Sequence, residues 1–143
     1  MGFGKRSGNY WLGNDLLNQL TANNRYKLKF DLQSRDNNYW YYAEYSTFRV
    51  QSEADNYRLE VVGYSGNAGH DAVVYHNDAT FSTYDRDNDR SSKNCAADYA
   101  GGFWYRDCFQ CGVNNARSTL SFFWAGLHGD GWLRSSRMWL QCK

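Results

Sequence analysis

The sequence predicts an α+β fold, in which a twisted antiparallel sheet with short helices supports a loop-rich C-terminal region. Three observations lead to this prediction. The 143 residues suffice for one compact domain and are too few for two. Residues 1–65 contain a helical pattern followed by alternating apolar and polar positions, whereas residues 66–143 show little periodicity. All four cysteines lie in the second region, where covalent links or a bound ion must hold irregular structure in place.

The N-terminal region provides the predicted helix and strands. The helix is amphipathic, with Asn14 as its cap and Leu16, Leu17 and Leu20 on one face. The first strand alternates apolar and charged side chains, as a half-buried strand does. The predicted elements are the helix at 11–20 (WLGNDLLNQL) and strands at 25–32 (RYKLKFDL), 39–50 and 56–64.

Composition excludes several classes of function. The 16 basic and 15 acidic residues leave a net charge of +1, which excludes a broad electrostatic surface for nucleic acid or anionic lipid. No apolar run reaches membrane-spanning length. Residues 1–5 lack the pattern of a signal peptide, so we expect a mature or trimmed chain. The aromatic content of 18% suits both a core and a binding surface.

The cysteines allow two interpretations. An even count of four favours a disulfide framework of the kind found outside the cell. The alternative is a zinc or redox site, because Cys108 and Cys111 form a C-x-x-C motif. Cys95 and Cys142 do not provide the second close pair that a structural zinc site needs.

The segment 85–89 (DRDND) places three carboxylates at alternate positions, which suits the oxygen ligands that calcium prefers. It is not an EF-hand, because Arg90 stands at the glycine position and Ala96 at the glutamate position. The alternative is a solvated acidic turn in which Arg86 and Arg90 neutralise the aspartates.

A series of motifs running from Gly2 to Cys108 resembles the fibrinogen-like domain, which is shared by fibrinogen C-terminal domains, ficolins, tachylectins and invertebrate fibrinogen-related proteins. The motifs follow the order of the family and are together highly specific. They are 2–4 (GFG), 10–15 (YWLGND), 64–69 (YSGNAG), 76–77 (HN), 81–89 (FSTYDRDND), 94–96 (NCA) and 103–108 (FWYRDC).

The resemblance implies a calcium site beside a ligand pocket. The calcium ligands would be the side chains of Asp87 and Asp89 and the main-chain carbonyls of Ser91 and Lys93, although the family usually has glycine at position 93. A carbonyl ligand tolerates that change only where the backbone angle accepts a side chain.

The resemblance also pairs Cys95 with Cys108. Cys111 and Cys142 have no usual counterpart in the family, and we infer that they pair with each other.

In lectin-like members a cis peptide before the second cysteine turns N–H groups toward an acetyl group. The corresponding bond here joins Asp107 to Cys108. Phe109 stands where histidine is common, and the segment between residues 125 and 138 is shorter than usual. An apolar slot with N–H donors would recognise an acetyl group without any charge. The implied pocket residues are Tyr99, Asp107, Cys108, Phe109, Trp124 and Ala125.

The family domain normally has an N-terminal subdomain before Gly2, which is absent from this sequence. We expect the apolar surface left behind to bind a partner or to promote homo-oligomers. His70, His76 and His128 stand in no recognisable nucleophile motif, so we expect a protein that is not an enzyme.

The resulting hypothesis is a secreted, calcium-dependent, lectin-like module of innate immunity. It would bind acetylated sugars or bacterial cell-wall glycans, and would bind neither nucleic acid nor membrane. The alternative is a protein-interaction module that binds a peptide or protein partner through the same pocket, as in fibrinogen assembly.

Overall fold

The computed structural model describes residues 1–5, 7–115 and 122–143 and has the predicted α+β architecture. In chain order its elements are β1 (Phe3–Gly4), β2 (Tyr10–Trp11), α1 (Asn14–Thr21), β3 (Tyr26–Ser34), β4 (Trp40–Val50), β5 (Leu59–Gly66), α2 (Cys95–Asp98), β6 (Cys111–Gly112), β7 (Phe123–Trp124) and β8 (Leu133–Cys142). Single 3₁₀ turns lie at Glu53–Asp55 and Val74–His76. Neither α-helix of the described ranges has the length and apolarity needed to cross a bilayer.

The main sheet has four antiparallel strands in the order β5-β4-β3-β8. Alternate residues of β3 point into the core, where Leu28, Phe30 and Leu32 are almost completely buried. Phe30 lies opposite Ala43 of β4 and Met138 of β8. The period of two in the sequence therefore identified both the central strand and its buried face.

Helix α1 packs against the end of β4 and differs in two details from the prediction. Asn14 is the first helical residue and not the N-cap. The N-cap residue is Gly13, which has a φ of 96° and no side chain to accept a capping hydrogen bond. Leu17 is buried, whereas Leu16 is 41% exposed. Thr21 fixes the helix to the sheet, because its hydroxyl donates to the Leu17 carbonyl and accepts from the Val50 N–H.

Strand β8 was not predicted, and it corrects the description of residues 66–143 as loop-built. It pairs with β3 from Tyr26↔Cys142 to Ser34↔Leu133, with a register shift between Gln33 and Ser34. The strand was missed because it forms the edge of the sheet, where only Leu133 is buried and the other nine residues are half-buried or exposed. Its sequence (LRSSRMWLQC) consequently lacks the regular apolar alternation of β3.

The remainder of the C-terminal region folds around large aromatic side chains. Phe103, Trp104, Tyr105 and Trp124 are each no more than 1% exposed. The Trp104 indole N–H donates to the Tyr57 carbonyl at 2.7 Å and so joins this aromatic core to the segment before β5. The irregular loops that follow are therefore anchored on one side to a rigid core.

Candidate functional site

The acidic loop lies directly before α2, and Asp89 connects the two. One oxygen of the Asp89 carboxylate accepts a hydrogen bond from the Ser91 N–H at 2.8 Å, and the other accepts from the Cys95 N–H at 2.9 Å. The Asp87 carboxylate is exposed and accepts from the Asp89 N–H at 3.2 Å. The loop thus holds one half-buried and one exposed carboxylate two residues apart.

The electrostatics of this pair suit a cation. Partial burial and the neighbouring charge of Asp87 raise the pKa of Asp89, against the opposing effect of its two N–H donors. Arg86 does not neutralise the pair, because its guanidinium lies 3.5 Å from Glu53 and donates to Asn56 at 2.7 Å. No arginine or lysine of the described residues forms an ion pair with Asp87 or Asp89.

The two predicted carbonyl ligands are compatible with calcium. Within ranges 1–5, 7–115 and 122–143, the carbonyls of Ser91 and Lys93 accept no hydrogen bond. Lys93 does not have a positive φ, so its side chain causes no backbone strain where the family has glycine. The same ranges contain no group of three or more histidine, cysteine and acidic side chains that could together hold a metal ion. The predicted donor set consists of two carboxylates and two carbonyls, which are hard oxygen ligands of the kind that calcium binds together with water.

A disulfide joins the first residue of α2, Cys95, to Cys108, with 5.3 Å between the Cα atoms. Cys108 has a φ of 53°, an unfavourable conformation for a residue with a side chain. The predicted cis bond between Asp107 and Cys108 is wrong, because no described peptide bond is cis. The left-handed Cys108 reverses the chain by itself, which allows the Arg106 N–H to donate to the Cys108 carbonyl at 3.0 Å.

The predicted pocket residues separate into two groups. Tyr99 and Phe109 pack edge to face with 4.7 Å between ring centroids, and both are half-buried. Trp124 belongs to the core: it is 0% exposed, lies 5.3 Å from Phe30 and donates to the His70 carbonyl. An open acetyl slot walled by Trp124 is therefore wrong.

Ala125 and Asp107, the remaining two residues, contact different parts of the chain. Ala125 is half-buried, and its N–H donates to the Gln110 carbonyl at 2.9 Å. Asp107 is exposed, and its carbonyl accepts from the Tyr75 hydroxyl at 3.0 Å. Of the predicted pocket residues, the structure brings Tyr99 into contact with Phe109, which follows Asp107 and Cys108 in the chain, whereas Trp124 belongs to the core.

Comparison with known proteins is consistent with this geometry. Residues 1–134 match the model of the C-terminal globular domain of fibrinogen beta and gamma chains. The chain belongs to this fibrinogen C-terminal domain family. It is 42% identical to mouse tenascin over 132 residues, which is 87% of the chain and 6% of tenascin.

Two solved structures show the same fold. The fibrinogen-like globe domain of human ANGPTL6 superposes with a TM-score of 0.88 at 35% identity, over 99% of this chain and 68% of that one. Lamprey fibrin D-dimer, solved with the peptide Gly-His-Arg-Pro-amide, superposes with a TM-score of 0.81 at 28% identity. The match covers 97% of this chain and 53% of that one. The chain spans less than half of the curated relatives that it matches, from 6% to 48% of their length.

His76 is an organising residue of this fibrinogen-like domain that sequence reasoning missed. Its ring is 0% exposed, and Nδ1 donates to the Trp104 carbonyl at 2.7 Å. Nε2 accepts from the N–H groups of Gln110 and Cys111 at 3.1 and 3.3 Å. Both nitrogens are thus occupied by the main chain, and the ring fixes the segment that follows Cys108.

The predicted bond between Cys111 and Cys142 is also wrong, because both are free thiols. Cys111 is buried in β6, where it pairs with Trp124. Cys142 is exposed at the end of β8 and pairs with Tyr26. The two cysteines belong to different sheets, one inside the core and one at a surface edge, so their sulfur atoms do not meet.

Proposed function

We propose that this domain is an extracellular, non-enzymatic binding module that recognises a peptide or protein partner beside a calcium ion. The carrying observation is the likeness to lamprey fibrin D-dimer, which was solved with a peptide ligand and matches 97% of this chain. The disulfide between Cys95 and Cys108 supports an oxidising, extracellular location.

The recognition surface is the apolar patch of Tyr99 and Phe109. Both residues are half-buried, so part of each remains accessible to solvent. Asp98 directly precedes Tyr99, Asp107 lies two residues before Phe109, and both carboxylates are exposed. An apolar patch with carboxylates at its margin suits a peptide that carries a cationic group, such as arginine or an amino terminus. Recognition of an acetyl group has no such support, because the buried Trp124 cannot wall an accessible slot.

Calcium would be held by the carboxylates of Asp87 and Asp89 and the carbonyls of Ser91 and Lys93. When bound, it would supply positive charge that neutralises the carboxylate pair and cross-links the loop. Asp89 also accepts from the Cys95 N–H, so an ordered loop supports the disulfide and, through it, the Cys108 turn. The chain's own residues then present the Tyr99–Phe109 patch in a fixed conformation.

The calcium part is tested by isothermal titration calorimetry with CaCl₂. We expect one site in the wild-type chain and its loss in Asp87→Asn. Asp85→Asn is the matched control, because Asp85 is an exposed carboxylate of the same loop that accepts only from the Thr83 hydroxyl in the structure. Absence of calcium binding in the wild type, or equal binding by Asp87→Asn, contradicts the proposed ion site.

The partner part is tested with Gly-His-Arg-Pro-amide as the probe in millimolar calcium. We expect saturable binding that weakens about tenfold or more in Phe109→Ala, because the apolar contact is lost. The control is Tyr39→Ala, which removes a residue that is 71% exposed just before β4. It should leave the affinity for the peptide unchanged. Binding that is insensitive to Phe109→Ala, or that is displaced by N-acetylglucosamine, would overturn the peptide assignment.

A further inference from the structure

The acidic loop, residues 85–89 (DRDND), uses its odd and even positions in different ways. The odd positions are the three aspartates, whereas the two even positions connect the loop to other parts of the domain. The Asn88 side chain donates to the Phe81 carbonyl at 2.8 Å, which is a contact close by in the sequence. Arg86, the other even position, contacts residues about 30 positions earlier in the chain.

The guanidinium of Arg86 is held by two residues at the 3₁₀ turn that follows β4. Nη2 donates to the side-chain oxygen of Asn56 at 2.7 Å, and Nη1 lies 3.5 Å from the carboxylate of Glu53. The bond to Asn56 is the stronger contact, because the ion pair with Glu53 is long and both of its side chains are more than half exposed. We call Glu53 and Asn56 the Arg86 clamp.

The main chain holds Asn56 in place for this contact. Asn56 has a φ of 51°, a left-handed conformation that asparagine adopts more readily than most residues. Its N–H donates to the Glu53 carbonyl at 2.9 Å, and its carbonyl accepts from the Phe81 N–H at 2.9 Å. Because Phe81 also accepts from the Asn88 side chain, the Arg86 clamp and the acidic loop are fixed to the same residue.

The Arg86 clamp determines where the positive charge of Arg86 lies. Arg86 directly precedes the exposed Asp87, and an arginine without another partner would form a surface ion pair with such a carboxylate. That pair would compete with a cation for the same oxygen atoms. In the structure the guanidinium turns to Glu53 and Asn56 instead, and among the described residues it forms no ion pair with an aspartate of the loop.

We propose that Glu53 and Asn56 are positioning residues that hold Arg86 away from Asp87, so that the carboxylates of the acidic loop stay available to a divalent cation. The consequence for the cation rests on the proposed function, because it requires the calcium site. The position of Arg86 does not depend on calcium and is tested in metal-free protein.

The first test follows the Arg86 side chain of the full chain by ¹⁵N NMR without metal. Glu53→Gln/Asn56→Gly removes the Arg86 clamp, and glycine accepts the left-handed backbone at position 56. We expect the Arg86 Nε–H resonance to shift in this variant and to shift again when Asp87→Asn is added. In the wild type, Asp87→Asn alone should shift the resonance far less, because the guanidinium there lies with the clamp.

The second test is isothermal titration calorimetry with CaCl₂ on the same variants. Glu53→Gln/Asn56→Gly should bind calcium about twofold to fivefold more weakly, because calcium then has to displace an exposed ion pair. Adding Arg86→Gln to this variant should restore at least the wild-type affinity, since no guanidinium remains to compete. A purely structural role of Asn56, or the lost charge of Glu53, would not be rescued in this way.

The matched control is Asn38→Gly. Asn38 is also left-handed, with a φ of 63°, and it lies exposed in the turn before β4. The same asparagine-to-glycine change at this position should alter neither the Arg86 resonance nor the affinity for calcium. The control therefore separates loss of the Arg86 clamp from the general effect of an added glycine.

Three results would overturn the proposal. The first is an Arg86 resonance that does not respond to removal of the Arg86 clamp or, in that variant, to Asp87→Asn. The second is a loss of calcium affinity that persists after Arg86→Gln is added. The third is weaker calcium binding by Arg86→Gln alone, which would mean that Arg86 supports the loop. Absence of calcium binding by the wild type contradicts the calcium site of the proposed function, whereas the metal-free result still decides the position of Arg86.

Discussion

Acidification should destabilise the domain through His76. Burial lowers the pKa of His76 to about 4, the charge of Arg106 acts in the same direction, and the Trp104 carbonyl opposes both. The ring is neutral at pH 7, with its proton on Nδ1, because Nδ1 faces a carbonyl and Nε2 faces two N–H groups. Protonation of Nε2 would place a donor against the N–H groups of Gln110 and Cys111.

The direction and size of the effect follow from linkage. The pKa in the folded state, about 4, lies below the value of 6.5 for an unperturbed histidine, so the unfolded state binds the proton more readily. The stabilising contribution is complete above pH 6.5 and is lost as pH falls toward 4. At about 1.4 kcal/mol for each pKa unit, the loss is about 2 kcal/mol at pH 5 and approaches about 3 kcal/mol at pH 4 and below.

The measurement is urea unfolding of the wild type and of His76→Asn between pH 7 and pH 4, without calcium. His76→Asn lowers the free energy of unfolding at pH 7 and removes the titrating ring. All carboxylates are retained, so their contribution to the pH dependence cancels when the profile of the variant is subtracted from that of the wild type. We expect that difference to shrink by about 2 kcal/mol between pH 7 and pH 5. A constant difference, or a His76 ring that titrates near pH 6.5 by NMR, would refute the reasoning.

Two further predictions concern the thiols and the tryptophans. In native buffer a disulfide reagent such as DTNB should label one thiol per molecule, the exposed Cys142, because burial raises the pKa of Cys111 and shields it. Cys142→Ser should abolish this labelling and Cys111→Ser should not; a native protein without any reactive thiol would contradict the assignment. Trp124→Ala should lower the free energy of unfolding by about 3–5 kcal/mol as a core truncation. Trp40→Ala, its control at 44% exposure, should cost less than about 1 kcal/mol in the same urea titration.

The sequence predicted secondary structure best where one face of an element is buried and the other is exposed to solvent. Strand β3 satisfies that condition, and its alternating pattern predicted both the strand and its core face. Strand β8 does not, since only Leu133 is buried and its remaining residues are half-buried or exposed. This strand forms because it pairs with β3, which is distant in the sequence. A pattern read over a few neighbouring residues cannot predict that pairing.

The candidate site was predictable in its composition and less so in its arrangement. Alternating aspartates indicate oxygen ligands by chemistry alone, and the family resemblance selects Asp87 and Asp89 among them, which stays a prediction. Whether Trp124 lines a pocket or fills the core depends on its neighbours, because an aromatic residue suits both. His76 lies in one of the motifs of the resemblance, but that motif does not reveal its role, which consists of hydrogen bonds to main-chain groups more than 25 positions away in sequence.

These contacts form one continuous support for the proposed recognition surface. Asp89 holds the Cys95 N–H, the disulfide carries that constraint to Cys108, and His76 holds the main chain just beyond it. Cys108 can therefore keep a left-handed conformation, which costs free energy and persists only where surrounding contacts over-determine it. The proposed ion site would act on this support from one end, and the buried His76 acts on it from the other. Asp87 differs from Asp89 in lacking a contact to the Cys95 N–H: its exposed carboxylate accepts only a local bond from the Asp89 N–H within the described residues, whereas Asp89 connects the loop to α2.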